Sequence, residues 1–379
     1  MGLKTAKGKL FFMLFLIITL PFMEYNFQFI ESGKLQGEMV GNPDVQFSWA
    51  KWWDGSYQQL KMLYLNDSVG FRPDLVRMTN QIDYTLFRKL HAGDEYMGYD
   101  DYIFSKMYND EYEGISYMGT DVIRNELVKL KLVQDTLEKL GKTFILTYAP
   151  SKSYIFPDKI PEILRPKDGR KISNYITFRR LGDSLRIRQL DFNALFMTMK
   201  TTTNALMTKG GIHWSVYGSV LAADTLIKFI ERERKIKMPE IAITALHYSD
   251  TARNADDDLS RTANLIFPIA KERLIYPEFH YKDDATKQKP KVIYIGDSFV
   301  WLWLFDGVMQ NTNSKWEFWP YFNSGWDSNG ERSIKDWKKA LLGADCVVVV
   351  FTTRNLEIFN SKTFFVECFY NYFYPGSVK

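Results

Sequence analysis

The sequence predicts an α/β domain with a mostly parallel central sheet flanked by helices, set behind an apolar N-terminal helix. Three observations predict it. A helical apolar period over residues 121–140 runs through Gly141 into the strand-like stretch 143–149. Two further runs, 291–295 and 345–352, are nearly continuous in apolar residues, as strands covered on both faces are. A lysine-flanked apolar run occupies the extreme N-terminus.

That run, residues 10–23, follows Lys4, Lys7 and Lys9 and precedes Glu24. It is short for a span of roughly 20 residues, and no small-x-small cleavage site follows before Gly33, so an uncleaved signal anchor over residues 1–30 is expected. The lysines place the N-terminus in the cytoplasm and the rest of the chain on the far side of the membrane. Residues 31–70, with Trp49, Trp52 and Trp53, show no sustained period and read as a stem; residues 71–379 form the main domain.

Val122, Leu127, Leu130, Val133, Leu137 and Leu140 share one helical face, and Gly141 supplies the stop. Residues 143–149 form a buried strand closed by Pro150, and 185–192 a further strand. A helix over 215–234 presents Val216, Val220, Ala223, Ile227 and Ile230 on one side, and the charge run 231–237 closes it as a solvated end.

Composition excludes several functions. The chain of 379 residues carries 49 Lys and Arg against 45 Asp and Glu, too slight a basic excess for a nucleic-acid surface. Gly141-Lys142-Thr143 lacks the earlier glycine of a phosphate loop and precedes a strand, so nucleotide binding is rejected and no cofactor is expected. Asp256, Asp257 and Asp258 lack the alternate spacing of a calcium loop and read as a polar connection, and no other metal pattern appears. The two cysteines, Cys346 and Cys368, allow one disulfide at most, and Cys346 sits in an apolar run.

Chemistry concentrates at two places. The strand 291–295 enters Gly296-Asp297-Ser298, followed by an apolar stretch that can begin a helix. A serine on a strand-to-helix turn is exposed, and backbone N–H groups beside it can face a developing oxyanion. Such a serine needs a base. Of the four histidines, His213 is the best placed, in a glycine-containing loop directly before the 215–234 helix, with Trp214 positioned to wall it from water.

Together these motifs resemble the alginate O-acetyltransferase family, SGNH-hydrolase-like proteins of the AlgJ and AlgX type. His213-Trp214 precedes Gly296-Asp297-Ser298, the family's motif order. Phe71-Arg72-Pro73, Asn80-Gln81-Ile82-Asp83-Tyr84, Ala149-Pro150-Ser151-Lys152 and Thr353-Arg354-Asn355-Leu356 look like other family segments, so the likeness runs over 71–359 and is closer to the anchored AlgJ-like arrangement. The resemblance implies an SGNH-like fold, Ser298 and His213 as catalytic residues, and Arg354, Lys152 and Trp214 near the oxyanion or substrate. It further implies a polysaccharide acceptor, a membrane-bound O-acyltransferase as acetyl donor, and a single-pass bacterial inner-membrane protein with its catalytic domain in the periplasm or outside the cell. The family's orienting aspartate, two residues before the histidine, falls on Gly211, leaving Asp191 or Asp297 to replace it, a Ser-His dyad, or an inactive site. A carbohydrate esterase with the same Ser/His pair and a polysaccharide-binding scaffold therefore stand beside the transferase. Trp301, Trp303, Trp316, Trp319 and Trp326 cluster around the serine, as core or as part of a glycan groove.

Overall fold

The computed structural model describes residues 5–37, 41–200, 205–253, 255–269 and 272–376; Lys4 lies outside them. The chain forms two compact units, Met1–Gly93 with Ser260–Ile269, and Asp94–Leu259 with Ala270–Lys379. The division falls after Gly93 rather than after residue 70, because the helix Arg72–Phe87 belongs to the first unit.

In that first unit the helix Ala6–Phe27 exposes apolar side chains around most of its circumference and is long and apolar enough to cross a membrane. The 31–70 stretch, expected to lack regular structure, contains the helices Trp49–Trp53 and Ser56–Ser68. Neither buries a residue, so neither needs the apolar period that would have announced it. Local polar groups start them instead: Ser48 accepts from the Lys51 N–H, and Asp54 from the Ser56 N–H.

The second unit is built on a seven-stranded sheet. Its strands are β1 Thr143–Ala149, β2 Gln189–Asp191, β3 Lys291–Gly296, β4 Lys315–Pro320, β5 Gly325–Asp327, β6 Gly330–Arg332 and β7 Cys346–Thr352, in the order β6-β5-β4-β3-β7-β1-β2. β4, β3, β7, β1 and β2 run parallel, and β5 and β6 add an antiparallel edge. Central β7 is buried along its whole length, as its unbroken Val run requires. Alternation divides its side chains: Cys346, Val348 and Val350 enter one core, and Val347, Val349 and Phe351 the other.

The first core is closed by the helices Val216–Arg234 and Val300–Phe305, the second by Thr120–Lys139, Asn174–Ser184 and Phe365–Phe373. Gly141, at φ +70°, ends the Thr120–Lys139 helix as expected, and the Lys142 N–H reaches back to the Leu137 carbonyl. The strand expected over 185–192 shortens to β2, because Arg186 takes a left-handed conformation (φ 56°) in the turn that precedes it. Both cysteines are free thiols, Cys346 inside β7 and Cys368 on the last helix. Burial pushes the Cys346 thiol up to about 12.

Candidate functional site

The carboxyl ends of β3 and β7 carry the site, where parallel sheets of α/β proteins expose their loops to ligands. At the end of β3, Asp297 is wholly buried. Its Oδ2 accepts from the Thr352 N–H (2.7 Å), the Thr352 hydroxyl (2.9 Å) and the Asn355 amide (2.8 Å), and its Oδ1 from the Phe299 N–H (3.2 Å). Burial pushes its pKa up while these donors pull it down. Asp297 therefore ties the β3 turn to the end of β7. Ser298, next in line, is left facing outward.

Across from it, His213 Nε2 lies 2.7 Å from Ser298 Oγ. The Phe299 ring packs 4.8 Å from the imidazole. Nδ1 lies 2.6 Å from Asp258 Oδ2. The other Asp258 oxygen accepts from the Ile212 and Leu259 N–H groups, both at 2.8 Å. The three side chains thus form one hydrogen-bonded series, serine to imidazole to carboxylate, which can deprotonate the hydroxyl and hold the resulting imidazolium.

Asp258 corrects the sequence reading in two ways. The third member is neither Asp191 nor Asp297. Asp191 caps the helix Phe192–Thr198 and accepts from the Tyr175 hydroxyl, while Asp297 is committed to β7. Nor is the Asp256 to Asp258 triplet merely a connection: Asp256 accepts from the Tyr276 hydroxyl at 2.7 Å, and Asp258 orients His213. Its separation of 45 residues from His213 leaves no local spacing to read.

Gly211 is bare because two backbones meet there. A Cβ at this position would sit 2.5 Å from the Ala255 carbonyl oxygen and 2.8 Å from that of Asp256. Thr208 fastens the same contact, donating to the Asp256 carbonyl and accepting from the Gly211 N–H at 3.0 Å. An aspartate two residues before His213 has no room, and the carboxylate arrives from the facing segment.

The residues expected around the oxyanion divide differently. Lys152 is buried, with Nζ donating to the Ile103 carbonyl (2.9 Å) and the Lys209 carbonyl (2.8 Å), so it fastens the loop that carries His213. Desolvation lowers its pKa to about 7, against the attraction of Asp258 and Glu272. Arg354 pairs with Glu357 at 2.6 Å and reaches the Met107 sulfur, and no hydrogen bond joins it to Ser298 or His213. Trp214 is fully buried among Phe192, Phe299 and Trp303, so Phe299 rather than Trp214 covers the imidazole. One polar side chain that sequence reasoning did not single out, Tyr321, lies near the nucleophile. Burial and the Asp297 charge raise the pKa of the Tyr321 phenol, and the neighbouring Ser298 and Asn355 oppose that rise.

The tryptophan cluster splits by depth. Trp303, Trp316 and Trp319 are buried core. Trp301 and Trp326 are half-buried and line a cleft of about 580 Å³ that opens beside Ser298 and His213, with Leu302, Leu304, Phe305 and Ala255. Among the described residues, no group of three His, Cys, Asp or Glu side chains is placed to hold a metal ion.

Residues 96–325, more than half of the chain, match the family described as SGNH hydrolase-like domain, acetyltransferase AlgX. Similar solved structures include the O-acetyltransferase domain of Pseudomonas putida AlgJ, at 18% identity over 73% of this chain and 99% of that one, with a TM-score of 0.49. Pseudomonas aeruginosa AlgX is 13% identical over 71% and 67%, with a TM-score of 0.45. Bacillus cereus PatB1 is 11% identical over 69% and 97%, with a TM-score of 0.43. No curated protein sequence matches the chain.

Two outcomes test this geometry. Asp258→Asn should lower turnover of an activated acetyl ester on the order of 10⁴-fold, and Gly211→Asp in that background should not restore it. Restoration would mean that the 211 position can supply the carboxylate after all. The lowered pKa of Lys152 has a signed consequence for stability. The folded chain releases this proton near pH 7 and the unfolded chain near the ordinary 10.5, so between them the unfolded state binds more protons and stability rises with pH. Against Lys152→Met, wild type should gain up to about 1.4 kcal/mol per pH unit above pH 7 in urea unfolding, and parallel pH curves for the two proteins would refute it.

Proposed function

We propose, since the chain belongs to the family of SGNH hydrolase-like acetyltransferases typified by AlgX, that it transfers an acetyl group to hydroxyls of an exported polysaccharide through an acyl-enzyme on Ser298. The observation that carries this reading is the continuous series Ser298, His213, Asp258 at 2.7 and 2.6 Å.

In the first half-reaction Ser298 Oγ attacks the carbonyl carbon of the donor while His213 Nε2 takes the hydroxyl proton. Asp258 accepts from Nδ1–H, fixing the tautomer that leaves Nε2 free as base and stabilising the imidazolium that forms. The Ser298 backbone N–H and the Tyr321 hydroxyl are the polar groups set against the nucleophile, and they serve the tetrahedral oxyanion. His213 then gives its proton to the leaving group. In the second half, the same nitrogen deprotonates a sugar hydroxyl, which attacks the acyl carbon, forms the new ester and frees Ser298.

The apolar helix Ala6–Phe27 supports anchoring in a bacterial inner membrane, with the catalytic unit on the periplasmic side. Acetyl-CoA is cytoplasmic, so a multispanning acyltransferase partner passes the acetyl group outward. Both the partner and the polysaccharide acceptor come from family membership.

Intact mass after incubation with an activated acetyl ester should show one acetyl adduct in wild type and none in Ser298→Ala. Faster discharge to an added oligosaccharide than to water supports transfer; discharge to water alone would make the protein an esterase. No adduct in folded wild type would leave a binding scaffold. Anchoring has its own measurement: the full chain should stay with membranes through an alkaline carbonate wash, and release by that wash would remove the anchor.

A further inference from the structure

We propose that the apolar cleft beside Ser298 is an acyl-chain site, so that the protein accepts linear acyl groups longer than acetyl. This rests on the acyl-enzyme reading above and names the acyl class for it.

The cleft is contiguous with the nucleophile. Trp301 and Leu302 follow Ser298 on the Val300–Phe305 helix, and both line the cavity with Ser298 itself. The volume is about 580 Å³, whereas one water takes roughly 30 Å³ and an acetyl group about the space of two. Acetyl alone would leave most of the cleft unused.

Its chemistry selects the occupant. Apart from Ser298 and His213, every side chain lining the cleft is apolar or aromatic. A sugar ring placed here would bury hydroxyls opposite side chains that neither donate nor accept, and each such group loses its hydrogen bonds to water without replacement. A methylene chain loses nothing and is favoured by burial. The Trp326 indole N–H does not alter this, being one donor at one edge of the wall.

The wall is also preformed. The Trp301 ring stands edge-on to Phe318 at 4.9 Å and to Trp326 at 5.2 Å, and stacks on Phe305 at 5.8 Å. Phe318 is fixed in the core by β4, so Trp301 cannot collapse inward to fill the space. Phe305, 68% exposed at the rim, has its outer surface free to cover a chain.

The test uses the full-length protein in lipid nanodiscs with p-nitrophenyl esters of acetate, butanoate and hexanoate. Ser298 Oγ bonds to the acyl carbon, the bond from that carbon to the aryl oxygen breaks, p-nitrophenolate leaves with the electron pair, and His213 Nε2 takes the proton. After correction for spontaneous reactivity with hydroxide, kcat/KM should rise about two- to fourfold per methylene through hexanoate. Ala255→Phe, which fills the cleft, and Phe305→Ala, which strips its rim, should each lower the hexanoyl-to-acetyl ratio at least fivefold. A flat or falling series, with the acetyl adduct intact, overturns the acyl-chain site and leaves the acyl-enzyme standing. Failure of every ester, acetate included, overturns the acyl-enzyme reading and this inference with it.

Discussion

The site depends on one close approach of backbones. The segment 208–212 lies against 255–258 so tightly that position 211 admits no side chain, and Thr208 bonds to both sides of the contact. The approach brings the Ile212 N–H and the His213 ring to the same carboxylate, so Asp258 holds the loop and orients the imidazole with its two oxygens. Hydrogen bonds to an ionised acceptor of this kind contribute on the order of 1.5–3 kcal/mol each. A carboxylate carried on the histidine's own loop would have to push the facing segment away, and with it the contact that fixes the loop. Lys152 secures the loop from a third direction through the Lys209 carbonyl.

Two aspartates flank this chemistry in opposite environments, and exchanging them would not work. Asp297 is fully enclosed and survives there only because four donors converge on it. Every one of those bonds stiffens the turn that presents Ser298, and none remains for a histidine. Asp258 keeps about a quarter of its side chain in solvent, accepts from backbone N–H groups with one oxygen and faces the imidazole with the other.

The central strands of the sheet were legible because they are apolar and bounded by glycine or proline, and 143–149 and 291–295 needed no tertiary information, whereas β4, β5 and β6 at one edge were not read. Ser298 and His213 were legible for a related reason, since each sits at a junction that the element pattern marks. Asp258 was not. It looks like one of three equivalent acids, and only the path of the chain over 45 residues distinguishes the one that meets the imidazole. The helices of the 31–70 stretch were invisible because they bury nothing, which removes the periodic signal by which amphipathic helices are read. The tryptophans show the limit from the other side: proximity to Ser298 in sequence could not say that Trp303 faces the core and Trp301 the cleft, a matter of two positions on one short helix.

The cations expected at the oxyanion have other partners, and this suits the proposed mechanism. Lys152 is turned to two backbone carbonyls, and Arg354 is matched by Glu357. A fixed cation beside Ser298 would stabilise a tetrahedral oxyanion, but it would equally oppose the charge that His213 acquires when it takes the proton, because both charges appear within a few ångströms at the same moment. An N–H dipole and a phenol hydroxyl avoid that conflict. In the proposed mechanism they favour the oxyanion at short range and carry no net charge to raise the cost of the imidazolium. Among the described residues, the carboxylate that meets the proposed base is that of Asp258, on the ring nitrogen away from the serine, so the charge that balances the imidazolium of the proposed mechanism lies on the far side from the acyl group.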